Sequence, residues 1–280
     1  MSDFRHHDVF EKFERVRSTG TGRHVLDFVG ARFDQDMRAG FEKYATRADH
    51  AVTPSLPPFN EHYYDWIMLL SAIDDAKDGF RMAELGAGFG LWTVRAWHAA
   101  RQRFAPEDIH LLAIEADQIH YNWIWQALEE NGVPASAVEV ILGAAVSSSR
   151  MLRFPKLTDP SSDYGASIYA RTEEFVDVQG YSVAELLERF DRPVDFLHVD
   201  IQGAEYEALG SAMAALKKRC KRILIGTHSS DAQHDALHVS FVEDGWRPVL
   251  VAPRKSQADI GYGPIPTGDG VLAYENPDLL

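Results

Sequence analysis

The chain has 280 residues, with 42 acidic against 28 basic side chains and a formal net charge of −14, which argues against a broad nucleic-acid surface, where basic stripes displace counterions. An apolar content of 45% is enough for a full core, and the single cysteine, Cys220, rules out an intrachain disulfide and a Cys-rich zinc site. The N-terminus shows no apolar signal region and no apolar run is long enough to span a bilayer, so a cytoplasmic protein without membrane contact is expected.

Residues 3–17 read as an amphipathic helix, because Phe4, Phe10, Phe13 and Val16 recur near helical spacing among charges. Gly20 and Gly22 break it, a second helical stretch covers 35–44, and Thr53–Pro58 makes a loop. This leader, residues 1–58, is too short for a large core of its own. It is expected to pack on the main domain, residues 59–280, as a cap, an acceptor wall or a homo-oligomer contact; the sequence does not choose among these.

From Asn60 the pattern becomes regular. A helix opens at His62-Tyr63-Tyr64-Asp65-Trp66 and closes at Lys77-Asp78-Gly79. A short apolar strand, Arg81–Leu85, breaks into glycines at alternate positions, Gly86, Gly88 and Gly90, before a helix that runs to Arg103. Strand, glycine turn and helix N-terminus together make a nucleotide-like ligand site, because backbone approaches a ligand closely where no Cβ intervenes. The dinucleotide fingerprint needs glycines at its first, third and sixth positions; here Leu91 stands sixth. A helix N-terminus also suits phosphate, so the loop alone leaves a phosphorylated nucleotide open.

The apolar strand Ile109–Ile114 ends at Glu115, and a helix over 118–130 is stopped by Asn131-Gly132. Val138–Leu142 is a third strand, ending at Gly143-Ala144-Ala145. A less regular region follows, with a strand pair, Met151–Phe154 and Phe175–Val178, around the loop Ser161–Ser167. A helix over Ser182–Phe190 starts with a capping box at Ser182 and Glu185. Val194–Val199 ends at Asp200; after Gln202-Gly203 one helix buries Ala208, Leu209, Ala212, Met213 and Leu216. Arg222–Ile225 ends at Gly226-Thr227-His228, and a helix over 232–244 leads to Trp246–Val251 and Val271–Tyr274, an antiparallel edge pair joined by the loop Pro253–Gly270.

Five strand–helix alternations with continuous apolar strands imply a parallel sheet covered on both faces. Ligands of such sheets sit beyond the carboxyl ends of the strands, where strand order switches. That edge collects Glu84, Glu115, Gly143, Asp200 and His228.

The run E-L-G-A-G-F-G (Glu84–Gly90), the strand-end acid in I-E-A-D (Ile114–Asp117) and the two final strands resemble class I S-adenosylmethionine-dependent methyltransferases. More narrowly, D-F-L-H-V-D-I-Q-G-A-E-Y-E-A-L (Asp195–Leu209) is similar to the signature of the FkbM-type methyltransferase family, as are the Y-G-A-S loop (Tyr164–Ser167) and the pair Thr227-His228. The resemblance covers residues 60–276. Family members often carry Glu in the place of Gln202, and Glu before the histidine at Gly226 or nearby, so a carboxylate role is in doubt at these two positions. The implied fold is α/β and Rossmann-like: a mostly parallel seven-stranded sheet with an antiparallel last strand, helices on both faces, and the helical N-terminal extension added.

The resemblance implies S-adenosylmethionine as cofactor. Gly86, Gly88 and Gly90 would cradle its amino-acid end, with Glu84 facing the ammonium; the plain alternative is that Glu84 caps the next helix. Glu115 would accept hydrogen bonds from a ribose diol, Ala144 with Gly143 and Ala145 would leave room for adenine, and Asp200 would border the same ligand. The expected reaction is O-methylation of a hydroxyl on a small natural product or saccharide. His228 would act as general base, with Asp200 orienting the acceptor or holding His228. Tyr63 and Tyr64 are candidates for a lid, and Tyr164, Ser167 and Glu205 for substrate contacts. His198 shares a strand face with Asp200 and is expected to be buried and satisfied. No tight ligand spacing supports a metal at Asp200, Glu205 and His228, and none is expected. Competing readings are a nicotinamide-dependent oxidoreductase and a non-catalytic cofactor-binding scaffold, the latter kept open by Gln202 and Gly226.

Overall fold

A computed structural model describes residues 5–170 and 173–280. Seven strands form the central sheet: β1 (Phe80–Leu85), β2 (Ile109–Glu115), β3 (Val138–Leu142), β4 (Phe196–Val199), β5 (Arg222–Thr227), β6 (Arg247–Ala252) and β7 (Gly270–Glu275). Their order is β3-β2-β1-β4-β5-β7-β6. Neighbours from β3 to β5 run parallel, whereas β7 is antiparallel to both β5 and β6. The final two strands are therefore not both at the edge: β7 is inserted against β5, and β6 alone is outermost. Strand order reverses between β1 and β4, which opens the crevice where ligands of such sheets bind.

Every residue of β1 and of β4 is buried. Two-residue alternation divides their side chains between two cores. Phe80, Met82 and Phe196 face one core, together with the leader and helices α1 (His62–Asp75), α2 (Leu91–Ala100) and α3 (Gln118–Glu130). Ala83, Leu85, Leu197 and Val199 face the other, beneath α4 (Val183–Leu187), α5 (Glu205–Gly210), α6 (Met213–Arg219) and α7 (Asp231–Glu243). The signature acid Asp195 fastens the start of the sheet: its Oδ2 accepts from Arg81 N at 2.8 Å and its Oδ1 from Lys221 Nζ at 2.7 Å.

The leader departs from the helical expectation. It consists of 3-10 turns at Asp8–Lys12, Gln35–Met37 and Phe41–Lys43, with short strand pairs between them; Phe4 lies outside the described residues. A helix of that length has little stability of its own, and tertiary packing of its aromatics decides the backbone instead. Phe10 and Phe13 are buried, Phe10 against Phe28 and Tyr63. Helix α1 lies between this layer and the sheet, so all eight residues Tyr63–Leu70 are buried, as expected for a helix apolar on all sides.

Smaller differences shape the site. Beyond Gly143 the chain forms a further strand, Ala144–Val146, which pairs with Phe175–Ser182, and this in turn pairs with Arg150–Pro155. The helix expected after Gly203 is two, α5 and α6. The capping box at Ser182 is half made: Ser182 Oγ accepts from Glu185 N at 3.2 Å, while the Glu185 carboxylate is taken by Ser149 Oγ, which itself accepts from Ser182 N. The loop after β6 carries a hairpin, Ser256–Ala258 with Ile265–Thr267. No helix among the described residues is long and apolar enough to cross a membrane.

Candidate active site

The carboxyl ends of β1, β2, β4 and β5 border a cavity of about 360 Å³. The turn after β1 forms one wall, and two of its glycines are dictated by close approach. Gly86 has φ +79°, and a Cβ there would stand 1.8 Å from the Asp200 carbonyl oxygen, so the turns after β1 and β4 touch backbone to backbone. Gly88 has φ +55°, and its Cβ would press on the Tyr164 ring at 3.2 Å. Gly90 is the N-cap of α2.

Glu84 is buried at the end of β1 and borders the cavity. Its Oε1 accepts from Trp92 N at 3.1 Å, and its Oε2 from Thr93 N at 2.7 Å and Thr93 Oγ1 at 2.5 Å. The carboxylate thus caps α2 from the preceding strand, the plainer of its two expected roles. Burial holds its carboxyl above the usual range, against the opposing pull of His198 and these donors.

Glu115, at the end of β2, accepts from Gly88 N and Asp117 N, each at 2.8 Å. Burial raises its pKa to about 7, although both backbone donors favour the charged form. Asp117 caps α3 by accepting from Ile119 N and His120 N. Ala144 lines the cavity beside them, but Gly143 is set by packing: a Cβ there would meet Gln179 O at 2.6 Å. Tyr164 closes this side, its ring stacked on His120 at 4.6 Å and its hydroxyl donating to Met37 O.

The opposite end of the cavity holds His228. Its Nδ1 donates to Glu205 Oε1 at 2.8 Å, and its Nε2 lies 3.4 Å from Asp200 Oδ1 and 3.7 Å from Asp269 Oδ2. Gln202 Nε2 donates to Asp200 Oδ1 at 2.5 Å and lies 3.2 Å from His228 Nε2. Burial alone would lower the pKa of His228, but the Glu205 hydrogen bond and the charges of Asp200, Glu205 and Asp269 outweigh it and raise it to about 9. Gly226 gives this ring its place, since a Cβ there would stand 3.0 Å from His228 Cε1. Gln202 holds φ +50°, a left-handed conformation that costs a side-chain-bearing residue energy.

A second buried pair borders the cavity beneath Glu84. His198 Nε2 lies 2.7 Å from Asp65 Oδ1 of α1. Asp65, with Glu84 and Asp200 beyond it, overcomes burial and holds His198 above the ordinary histidine value, while His198 holds Asp65 below the usual carboxylate range. The expectation of a satisfied histidine is half met: Nδ1 is buried and has no partner among the described residues.

Four of the expected acceptor-side residues do not line the cavity. Tyr63 and Tyr64 are buried on other faces of α1 and form no lid; Tyr63 Oη accepts from His7 N at 2.9 Å, and Tyr64 Oη donates to Ala258 O at 2.7 Å. They fasten the leader and the loop after β6, because a helix apolar on all sides turns most of its aromatics into core. Glu205 is 2% exposed and accepts from His228 Nδ1 and Gly203 N. Ser167 turns toward Gly203 and accepts from Tyr169 N. In their place the structure brings Arg38, Glu61, His62, Asp65 and Asp269 to the wall. An acid inside the apolar run Tyr63–Leu70 was a visible signal for Asp65. Asp269 looked like a turn residue between two glycines.

A family model described as the methyltransferase FkbM domain matches residues 86–245, more than half of the chain. The chain belongs to the FkbM methyltransferase domain family. A protein of Jannaschia sp. (strain CCS1) described as a candidate methyltransferase is 26% identical over 279 residues, covering 96% of this chain and 98% of that protein. Among solved structures, methyltransferase FkbM from Methylobacillus flagellatus KT aligns with TM-score 0.46 and 15% identity over 70% of this chain, which spans 44% of that longer chain. An rRNA methylase from Streptococcus thermophilus aligns with TM-score 0.45 and 11% identity, over 78% of this chain and 96% of that one. Family membership sets the nicotinamide reading aside. The two residues at which the sequence resemblance is weakest both lie at His228: Gln202 spans Asp200 and His228, and Gly226 leaves room for the imidazole.

Proposed function

We propose that this FkbM domain transfers a methyl group from S-adenosylmethionine to a hydroxyl of a small natural product or saccharide. The residues present suit that donor. The wall at Gly86 and Gly88 is bare backbone, Glu115 and Asp117 offer carboxylate oxygens to a ribose diol, and Ala144 with Ala145 leaves a flat, small-residue surface. Bound there, S-adenosylmethionine supplies a methyl carbon already activated by its positive sulfur. The protein then has to align the acceptor and take its proton, and alignment alone is worth roughly 7–11 kcal/mol of barrier.

The observation that carries the reading is the Glu205–His228 pair at the cavity's far end. Glu205 fixes Nδ1 as the donor atom, so Nε2 is the atom that exchanges a proton, 3.4 Å from Asp200. With a pKa of about 9, His228 is mostly protonated at neutral pH, and the fraction able to act as a base grows as pH rises. A positive ligand lowers that value, because like charges disfavour one another. In its neutral form Nε2 would accept the proton of the acceptor hydroxyl, with Asp200 orienting that hydroxyl. A small acceptor accords with the size of the cavity and with a net charge of −14, which repels nucleic acid.

Incubation with methyl-labelled S-adenosylmethionine and a panel of sugars, polyols, phenols and RNA tests the assignment. Label transfer to a hydroxyl compound is expected, rising with pH toward a plateau whose apparent pKa is at or below about 9. His228→Gln should bind the donor normally and lose turnover by roughly 100-fold or more. Turnover unchanged in His228→Gln removes the general-base role, and label on RNA alone removes the small acceptor.

A further inference from the structure

Eight carboxylate side chains line the cavity, yet among the described residues of that wall there is one arginine and no lysine. That arginine is Arg38, contributed by the leader. It is half-buried, and among the described residues its guanidinium has no carboxylate within salt-bridge distance; it stands over the Tyr164 ring, 5.6 Å from the centroid. Tyr164 is also the ring against which Gly88 packs, which places Arg38 on the glycine-turn side of the cavity.

The backbone around Arg38 is clamped on both sides. Met37 O accepts from the Tyr164 hydroxyl, and Ala39 N donates to Ser161 O at 2.9 Å. A long cation fixed at its base, without an ion-pair partner in a cavity where carboxylates outnumber cations, suits a ligand that brings its own anion. The carboxylate-rich wall suits the cationic groups of the same ligand. A zwitterionic amino-acid group meets both conditions.

We propose that Arg38 receives the α-carboxylate of the donor's amino-acid tail, so that the leader completes the donor site. This rests on S-adenosylmethionine being the donor. The two claims separate in a calorimetric comparison of S-adenosylhomocysteine, which has the tail, with 5′-methylthioadenosine, which lacks it. Arg38→Ala should weaken S-adenosylhomocysteine binding roughly 10- to 100-fold, as for one charge-assisted hydrogen bond, and leave 5′-methylthioadenosine binding unchanged. Arg38→Lys should recover part of the loss. Equal weakening of both ligands overturns the proposal in favour of a merely structural leader. Unchanged binding of both overturns it as well and leaves Arg38 to the acceptor. Wild-type protein that binds neither ligand overturns the donor assignment itself, and the proposal with it.

Discussion

His228 and Glu115 occupy opposite ends of one cavity and are displaced from their ordinary pKa values in ways that solution measurements read separately. The pKa of His228 rises from 6.5 to about 9 in the folded protein. A group raised on folding contributes stability that is complete below its unfolded pKa and is lost as pH climbs through the folded one. Wild-type protein should therefore lose stability between pH 6.5 and about 9 relative to His228→Gln, measured as denaturation midpoints across that range; parallel curves would show that Glu205 does not hold a charged imidazole. Glu115, raised from 4.5 to about 7, is half ionised near neutrality in the free protein. Hydroxyl donors favour its charged form, so S-adenosylhomocysteine affinity should increase as pH rises through about 7. Glu115→Gln should flatten that dependence, and a pH-independent wild type would place the diol elsewhere.

At the scale of elements, what holds the site together lies largely outside it. Asp195 joins β1 to the start of β5 at the end of the sheet away from the cavity, with Arg81 N on one oxygen and Lys221 on the other. It stands in the same signature stretch as Asp200, yet its work is structural. Asp195→Ala leaves the Arg81 amide and the partly buried Lys221 ammonium without their acceptor and should cost roughly 1–3 kcal/mol, read from chemical denaturation, with ligand affinity unchanged in the folded fraction. The leader is joined to α2 in a similar way. Arg95 lies 3.1 Å from Asp27 and beside the mutually contacting rings of Trp66 and Trp92, with centroids at 4.7 and 4.5 Å. Phe10 adds an apolar anchor against Phe28 and Tyr63; Phe10→Ala should destabilise by roughly 3–5 kcal/mol, measured the same way. A loss under about 1 kcal/mol would mean that the leader is only loosely attached.

Over the whole molecule, the leader and the sheet enclose α1 between them, and the candidate site lies beyond the carboxyl ends of β1 and β4, where strand order reverses. A chain beginning at Phe59 would bare the outer face of α1 and lose Arg38. We expect it to melt without cooperativity or to aggregate, as calorimetry and light scattering would show; a cooperative transition at the full-length temperature would make the leader dispensable to the core.

Most of the sheet was legible in the residues themselves. Each strand is a short apolar run bounded by turn residues, and the glycine turn needs no partner to be recognised, because positive φ and close approach are local demands. The strand-end residues Glu84, Glu115, Asp200 and His228 followed from the rule that parallel sheets bind ligands at one edge. Tertiary structure decided what the chain cannot express locally. It made the leader irregular, because packing of Phe10 and Phe13 outweighs a marginal helix. It turned Tyr63 and Tyr64 inward and Asp65 toward His198, because α1 is covered on two sides. It brought Arg38 and Asp269, distant in sequence and each plain in its own context, to the same cavity. Strands and turns follow from nearest neighbours; the charge of a site and the faces that line it depend on what the remote parts of the chain place across from them.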